Sequence, residues 1–506
     1  MLNLCSRARI CRARWVGQSG LMPDIVRSND AACPALPRHF ARRTPARRDL
    51  VEYPCSRHGG FIRHSPRRLT KVAAGVLGLL ALVGLGSPRE AAADEVFDWN
   101  ITGFEATAAG GQNTIVISRT VTMMQLAVHD ALNAIERRYE PYVYEGRAEP
   151  SAAPAAAIAA AARDVLVGVI PAWGKPEQRA KALAIVDSAY NAALAKMPDG
   201  LPRNHGIAVG QAAAAAILAA READGSTAPP QYTPGTAPGQ WRPHPNPLPA
   251  NPPILDPALA AGNWPAMLPQ WGHVAPFIMA APWQFRLPGP PALASTQYAR
   301  DYEEVKRLGG KNSTTRTAEQ SEVARYWYEG SPQGWSRIAR VVAAQRGLDG
   351  WDNARLLALV NAVIADGFIA GADTRYLYNF WRPVTAIRAG HTDGNEATAA
   401  DPAWETFLNT PPIPDYPSTH SVAGAAAATV LARFFGSDQV AFTMASGPPF
   451  AGITRSFRSF SQAAQENADS RVYAGIHFRS ACQDGIKLGK HIGRRAFIQY
   501  VQVYRN

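Results

Sequence analysis

The chain has 506 residues, of which 47% are hydrophobic and 18% are charged, and its formal net charge is +12. This length is sufficient to bury one large core or two fused ones. The charge is concentrated at the front, since residues 1–93 contain 16 Lys and Arg against 5 Asp and Glu, which leaves a net charge of +1 for residues 94–506. The sequence therefore excludes nucleic-acid binding through a basic surface after residue 93.

Residues 1–93 have the features of an extension followed by an export signal. A basic segment at 67–71 precedes an uncharged, largely apolar run of 14 residues at 72–85, and three alanines end at Ala93. This order is typical of a signal peptide, and the apolar run is too short to span a bilayer. We expect cleavage near Ala93 and an exported protein, periplasmic or secreted, with no stable membrane span afterwards. The twin-arginine route, ordinary secretion and an uncleaved anchor remain alternatives.

Residues 1–60 are rich in arginine, lack a regular pattern and contain four of the five cysteines. Such a segment is typical of a disordered extension, or else it indicates a start codon assigned too far upstream. Cys482 is the only cysteine after the predicted signal. We therefore expect no internal disulfide in the mature part.

Residues 94–227 are predicted to form a first helical region. His129 and Asp130 lie in its first predicted helix, where adjacent side chains point about 100° apart and cannot form a catalytic pair. We therefore expect His129 to be a partly buried structural residue. Apolar or alanine-rich patterns at helical spacing occupy residues 119–136, 152–170, 176–196 and 205–222.

Residues 228–294 are dense in proline and are predicted to connect this region to a second one. Four tryptophans lie among the prolines, at positions 241, 264, 271 and 283. A long segment of this kind links two bundles or wraps across a surface, and the tryptophans favour packing over free motion. We place the domain boundary within it.

Residues 295–506 are predicted to form the second helical domain. A capping box from Thr317 to Gln320 begins one helix. Because nearly every predicted element is helical, we expect an all-α fold built as two packed helical bundles. The remaining helices of this domain are expected at about 335–345, 352–372, 460–473 and 477–499.

The stretch TPPIPDYPSTH at residues 410–420 runs directly into an alanine-rich segment at 421–430. A proline-stiffened loop that opens a helix places a hydroxyl, unpaired backbone N–H groups and an imidazole at the helix N-terminus. Such a terminus attracts oxyanions. Ser418, Thr419 and His420 are therefore candidate binding or catalytic residues.

Two further segments supply cationic side chains: RYLYNFWRP at 375–383 and SRVYAGIH at 470–477. A guanidinium stays charged at any usable pH, and its planar donors match the edges of an oxyanion. Arg375, Arg382 and Arg471 together could neutralise vanadate or phosphate, beside the imidazole of His477. This requires helix packing to bring the three segments to a common centre.

In this order, the three segments resemble the pattern of the vanadium-dependent haloperoxidases and the type 2 phosphatidic acid phosphatases. That pattern is Lys-x6-Arg-Pro, then Pro-Ser-Gly-His, then Ser-Arg-x5-His. The resemblance covers about residues 319–493. It is closer to the haloperoxidase branch, because the loop at 411–420 is extended, a helical region precedes the domain, and the several spanning helices of the membrane phosphatases are not predicted.

The chain departs from this pattern at three positions. Arg375 stands in place of lysine, and Thr419 in place of glycine. Ala481 stands where the phosphatases carry an aspartate that orients the second histidine, and Asp484 is the nearest acid but two helical turns away. The third departure weakens the phosphatase interpretation.

The resemblance implies an active site in the C-terminal bundle, with vanadate as the cofactor. His477 would bind vanadium, Ser418 and the backbone N–H of Thr419 would donate hydrogen bonds, and His420 would act as acid and base. The three arginines that would hold the equatorial oxygens are Arg375, Arg382 and Arg471. Ile413 is expected to face the pocket.

The implied reaction is the oxidation of a halide by hydrogen peroxide to hypohalous acid, which then halogenates a small organic acceptor. Two alternatives remain: a secreted acid phosphatase with a histidine nucleophile, and an oxyanion-binding protein without turnover. The motifs predict neither the halide preference nor the oligomeric state.

Overall fold

The structure is a computed structural model that describes residues 94–246, 265–499 and Gln502. Helices make up most of these residues, so the predicted all-α class is confirmed. The predicted export signal and Trp264 lie outside the described residues.

The first helical region is organised around α2, which is buried at every position from Ile115 to Ala134. The side chain of Asn113 caps this helix by accepting hydrogen bonds from the N–H groups of Ile115 and Val116. Helix α1 was not predicted, because its polar residues interrupt the apolar spacing. The helices are α1 Glu95–Ala109, α2 Thr114–Ile135, α3 Pro154–Val169, α4 Pro176–Ala195 and α5 Leu201–Ala220.

His129 on α2 is fully buried rather than partly buried, and its Nε2 lies 3.1 Å from the backbone oxygen of Glu140. Burial lowers the pKa of His129 below its usual value. The neighbouring Asp130 accepts hydrogen bonds from the N–H groups of residues 142–144. Both residues thus serve the packing of α2 and its following loop.

The described parts of the connecting segment pack against the second helical region. Trp241 and Trp271 are buried, whereas Trp283 is exposed. Asp366, from the second region, accepts hydrogen bonds from the N–H groups of residues 277–279. A buried carboxylate therefore anchors the segment, which agrees with the expectation that it packs.

In the second region the capping box at Thr317 is present. Helix α9 is longer than predicted: it ends at Tyr378 and is capped by Asn379, which adopts φ 49°. Arg375 therefore lies in the last turn of α9, not beyond its end. The helices are α6 Thr296–Gly309, α7 Ala318–Tyr326, α8 Ser331–Arg346, α9 Gly350–Tyr378, α10 Pro383–Arg388, α11 Thr419–Phe434, α12 Phe460–Tyr473 and α13 Arg479–Gln499.

A short antiparallel hairpin was not predicted. Strand β1 spans Phe442–Ala445 and strand β2 spans Thr454–Phe457, with Phe442 paired to Phe457. Four residues on each strand are too few to produce a clear alternating pattern in the sequence.

Close contact between α11 and α13 sets the position of the α11 N-terminus. A Cβ atom on Gly485 would lie 2.7 Å from the backbone oxygen of Ser418, and one on Gly489 would lie 2.2 Å from that of Val422. Such distances are below van der Waals contact, so only glycine permits this approach. The first turn of α11 is thereby held against α13.

Two helical segments in the described residues are long and apolar enough to cross a membrane by length and composition alone. They are Pro154–Ala172 and Gly350–Tyr378, which are 61% and 94% buried within the protein over the apolar stretch. Core helices of a folded domain meet the same criterion.

Candidate active site

A cavity of about 150 Å³ lies where α9, α10, α11 and α12 meet the loop at 410–418. Six of the seven predicted site residues line it: Arg375, Arg382, Thr419, His420, Arg471 and His477. The three distant segments therefore converge, as the oxyanion-site hypothesis requires.

Arg375 and Arg382 are buried and held by backbone oxygens. Nε of Arg375 donates to Pro417 at 2.7 Å, and Nε of Arg382 donates to Ile413 at 2.7 Å. A further bond joins Nη1 of Arg382 to the backbone oxygen of Ile476 at 3.1 Å. The two guanidinium groups are thus fixed in position and tie α9 and α10 to the 410–418 loop.

Arg471 lies in the last turn of α12 and is 1% exposed. Burial lowers the pKa of Arg382 and of Arg471 to about 10, and burial together with the neighbouring Arg382 lowers the pKa of Arg375 to about 9. Each value is well above 7. The cavity therefore has three positive charges at neutral pH.

Two nitrogen donors of the three buried guanidinium groups have no hydrogen-bond partner among the described residues: Nη2 of Arg382 and Nε of Arg471. A buried donor without an acceptor is costly, and one carboxylate, that of Asp415 at 3.5 Å from Nη1 of Arg382, does not balance three buried guanidinium groups. An anion with several oxygens would satisfy both requirements. Since the cavity walls contain no carboxylate, the donor set fits vanadate or phosphate rather than a divalent cation.

His477 is 2% exposed, and Nη1 of Arg382 lies within 3.2 Å of both of its ring nitrogens. Nε2 lies 3.0 Å from Nη1 of Arg382 and 3.5 Å from Nη2 of Arg375. Nδ1 lies 2.8 Å from Oδ1 of Asp415. Burial, followed by the charges of Arg382 and Arg375, holds the pKa of His477 well below its usual value, so the ring is neutral at pH 7.

Asp415 was not among the predicted site residues. Its side chain is fully buried, and burial raises its pKa to about 7 against the opposing effect of Arg382 and Arg375. Its Oδ1 lies close to Nδ1 of His477, although the angle is not that of a hydrogen bond. The sequence feature that could have indicated Asp415 is its position as an acid three residues before Ser418, in a proline-rich loop.

Asp484, the acid nearest to His477 in sequence, points elsewhere. Its carboxylate accepts a hydrogen bond from the Tyr416 hydroxyl at 2.7 Å and pairs with Lys487 at 2.7 Å. This agrees with the expectation that Asp484 is too far along the helix to orient the imidazole.

His420 lies in the first turn of α11 and is partly accessible from the cavity. Its Nε2 is 3.3 Å from the backbone oxygen of Glu329. Because a carbonyl oxygen only accepts, Nε2 carries the proton and Nδ1 is left as the acceptor. Burial, then the charge of Arg471, holds the pKa of His420 well below its usual value.

Ser418, the remaining predicted site residue, is fully buried and does not line the cavity. Its Oγ caps α11 by accepting from the N–H of Ser421 at 3.4 Å, and it also accepts from the Ser421 hydroxyl at 3.1 Å. Both bonds use Ser418 Oγ as an acceptor, so its O–H is not engaged by them, and the predicted hydrogen bond from Ser418 to an oxyanion stays a prediction.

Thr419 occupies the position where the family pattern has glycine, and α9 accommodates its side chain. A Cβ atom on Gly371 of α9 would lie 2.5 Å from Cγ2 of Thr419. The absence of a side chain at residue 371 thus provides the space that the Thr419 methyl group fills.

Ile413 lines the cavity as expected. Several other residues that line it were not predicted. Residues 113–115 at the N-terminus of α2 form one wall, although the predicted residues all belong to the second region. Phe368 and Met267 add apolar surface. These contacts depend on tertiary packing between distant segments and leave no local motif.

The described fold is similar to that of vanadium haloperoxidases. Residues 355–506 match the family model described as the VCPO second helical-bundle domain. The described fold is similar to the crystal structure of a bacterial vanadium-dependent iodoperoxidase, with a TM-score of 0.68 at 24% identity, covering 81% of this chain and 97% of that one. The resemblance that the three motifs indicate is confirmed.

Two further relatives are similar to parts of the chain. The holo form of a bacterial vanadium-dependent chloroperoxidase gives a TM-score of 0.61 at 19% identity, covering 76% of this chain and 91% of that one. The vanadium chloroperoxidase of Curvularia inaequalis is 28% identical over a region covering 38% of this chain. That match spans 42% of the length of the fungal protein.

Proposed function

We propose that this protein is a vanadate-dependent haloperoxidase-like enzyme that uses hydrogen peroxide to oxidise a halide to hypohalous acid, which halogenates a small organic acceptor. The observation that carries the proposal is the convergence of three buried guanidinium groups and two neutral imidazoles on one cavity of about 150 Å³. The vanadium haloperoxidase relatives support the same assignment.

The residues divide into those that hold the anion and those that move a proton. Arg375, Arg382 and Arg471 would neutralise vanadate, while Nε2 of His477 would bind the metal. The backbone N–H of Thr419, at the free N-terminus of α11, would donate to an oxygen. Bound vanadate would supply the electrophilic centre at which hydrogen peroxide is activated.

His420 is suited to accept a proton from hydrogen peroxide. Its Nε2–H is engaged by Glu329, and its low pKa keeps Nδ1 unprotonated at neutral pH. The apolar side chains of Phe368 and Ile413 line the same cavity and restrict water. A restricted, positively charged cavity strengthens the electrostatic effect of the arginines on developing negative charge.

The test is peroxide-dependent bromination of a phenolic dye by protein reconstituted with vanadate. We expect activity that follows vanadium content and disappears when the same preparation is dialysed free of vanadate. Protein loaded with phosphate is the matched control, because phosphate fills the same site without this chemistry. Absence of bromination by protein that holds one vanadate per chain would contradict the proposal.

A phosphomonoesterase is the second candidate, and the contact between Asp415 and His477 favours it. A nucleophilic imidazole needs its other ring nitrogen fixed, and Asp415 lies 2.8 Å from that nitrogen. Hydrolysis of an aryl phosphate by vanadate-free protein, inhibited by added vanadate, would support this function. If neither activity is found while vanadate still raises the melting temperature, the site binds oxyanions without turnover.

A further inference from the structure

The acid that orients the second histidine in the phosphatases is replaced by Ala481 in this chain, and the structure places another acid at the same imidazole. We propose that Asp415 is a positioning residue that keeps the proton of His477 on Nδ1 and directs the lone pair of Nε2 into the cavity. The inference rests on the proposed function only for the identity of the bound anion.

The backbone around Asp415 is fixed on both sides. Its N–H donates to the backbone oxygen of Phe380 at 2.8 Å. The backbone oxygens of Ile413 and Pro417 accept the bonds from Arg382 and Arg375 described above. The carboxylate is therefore presented to His477 by a segment that is tied to the cationic residues of the site.

The donors around the ring define its tautomer. A guanidinium has no acceptor, so a ring nitrogen that only guanidinium groups approach must carry the lone pair. Nη1 of Arg382 lies 3.0 Å from Nε2 and 3.2 Å from Nδ1, whereas Nη2 of Arg375 approaches Nε2 alone. In its ionised form the carboxyl of Asp415 can only accept, and it lies beside Nδ1. Both observations place the proton on Nδ1.

A carboxylate partner on one nitrogen of a metal-binding imidazole fixes the ring orientation and raises the basicity of the other nitrogen. Asp415 would thus strengthen the bond between Nε2 and vanadium. The same negative charge also repels an anion in the cavity. These two effects have opposite signs, so removing the carboxylate distinguishes a positioning role from a purely electrostatic one.

The experiment compares the affinities of vanadate and sulfate for wild-type protein, Asp415→Ala and Asp415→Asn by equilibrium dialysis. Sulfate is also a tetrahedral oxyanion but forms no bond to the imidazole. We expect Asp415→Ala to weaken vanadate binding by about 10- to 100-fold and to leave sulfate binding unchanged or tighter. Asp415→Asn keeps an acceptor oxygen near Nδ1, so its loss should be smaller.

Asp130→Asn is the matched control, because Asp130 is a similarly buried carboxylate on α2 that binds backbone N–H groups of its own loop. We expect it to leave both affinities unchanged. Equal weakening of vanadate and sulfate in Asp415→Ala would indicate structural collapse of the site and would overturn the proposal. Unchanged or tighter vanadate binding would overturn it as well.

A second measurement reports the tautomer without vanadate. The ¹⁵N ring shifts of His477, assigned by their loss in His477→Gln, should show Nδ1–H in wild-type protein and a shift of the proton between nitrogens in Asp415→Ala. A proton on Nε2 in wild-type protein would refute the inference. If wild-type protein takes up no vanadate yet shows Nδ1–H, the proposed function fails while the role of Asp415 stands.

Discussion

Two helix pairs in this protein use the same packing and differ in chemistry. In the first region, two glycines of α5 face backbone oxygens at the start of α3. A Cβ atom on Gly206 would lie 2.4 Å from the oxygen of the N-cap Ala153, and one on Gly210 would lie 2.4 Å from that of Ala157. In the second region, glycines of α13 face α11 in the same way. Both pairs thus depend on direct contact between a glycine face and a helix backbone.

The difference lies at the N-terminus of the facing helix. Helix α3 follows Ala153, which makes no side-chain cap. Helix α11 follows Ser418 and begins with Thr419 and His420. Three guanidinium groups line the cavity at this N-terminus. The packing scaffold is therefore not what creates the site. The site arises where polar residues and buried arginines surround one of two similarly packed helix ends.

The largest expected effect comes from substituting the two histidines of the site, which leaves the packing of α11 against α13 in place. His477→Ala should lower vanadate affinity by at least ~100-fold, because a ligand bonded to the metal contributes more than its supporting partners, which contribute about 10- to 100-fold. His420→Ala should retain vanadate and lose turnover by about 10²- to 10⁴-fold. Dialysis followed by vanadium analysis measures retention, and the bromination assay measures turnover.

Both variants should keep the wild-type melting temperature in the absence of vanadate to within a few degrees, which serves as the folding control. Equal loss of vanadate in the two proteins would contradict the division of roles between the imidazoles. A fall in the melting temperature of either vanadate-free variant would instead assign that histidine to the scaffold.

The next effect concerns the scaffold itself. Gly489→Ala and Gly210→Ala each force a Cβ against a backbone oxygen, at 2.2 Å and 2.4 Å. The strain, about 3 kcal/mol, exceeds the gain in helix propensity of about 1 kcal/mol, so each should lower the free energy of unfolding by about 2 kcal/mol. Urea denaturation followed by circular dichroism measures this change.

The two glycine variants should differ in vanadate binding. Gly489→Ala moves α13 away from α11 near the cavity and should weaken vanadate binding by the folded protein, whereas Gly210→Ala should leave it unchanged. Gly347→Ala, at a helix end with no atom within 4 Å of the added Cβ but with φ 64°, controls for backbone strain alone. If Gly489→Ala and Gly210→Ala lowered the stability by different amounts and bound vanadate equally well, the conclusion that the two helix pairs share their packing and differ in chemistry would be wrong.

Sequence alone predicted the parts of the site that carry local motifs. The arginines and histidines lie in short segments with fixed spacing, and the all-α class follows from helical periodicity over long stretches. Asp415 could not be assigned, because its partner is a histidine on another segment and only the course of the loop brings them together. The same holds for the wall formed by the α2 N-terminus.

The apolar pattern in the sequence also placed the end of one helix too early. The apolar pattern of α9 ends near Ala372, yet the helix continues to Tyr378, since Asn379 can adopt the left-handed conformation that ends a helix. This extension determines where Arg375 points. Ser418 caps α11 through its Oγ as an acceptor, beside the hydrogen bond to an anion that was predicted for its O–H. For α9, the backbone conformation of Asn379, which helical periodicity does not report, decided where the helix ends.

The smallest expected effect tests why this chain has threonine where the family pattern has glycine. Gly371→Ala would place a Cβ 2.5 Å from Cγ2 of Thr419. Because a β-branched side chain has few alternative rotamers, Thr419 should be displaced towards the cavity. We expect vanadate affinity to fall by about tenfold, or ~1.4 kcal/mol, as measured by equilibrium dialysis.

The double variant Gly371→Ala with Thr419→Gly removes the displaced methyl group and should recover most of the lost affinity, whereas Thr419→Gly alone should change little. Such non-additivity is the signature of two side chains that share one space. If the two changes were instead additive, Gly371 would act on α9 packing in general. Thr419 would then be tolerated for a reason unrelated to its contact with that helix. Recovery in the double variant would show that the substitution at residue 419 is compatible with anion binding because α9 provides the compensating space.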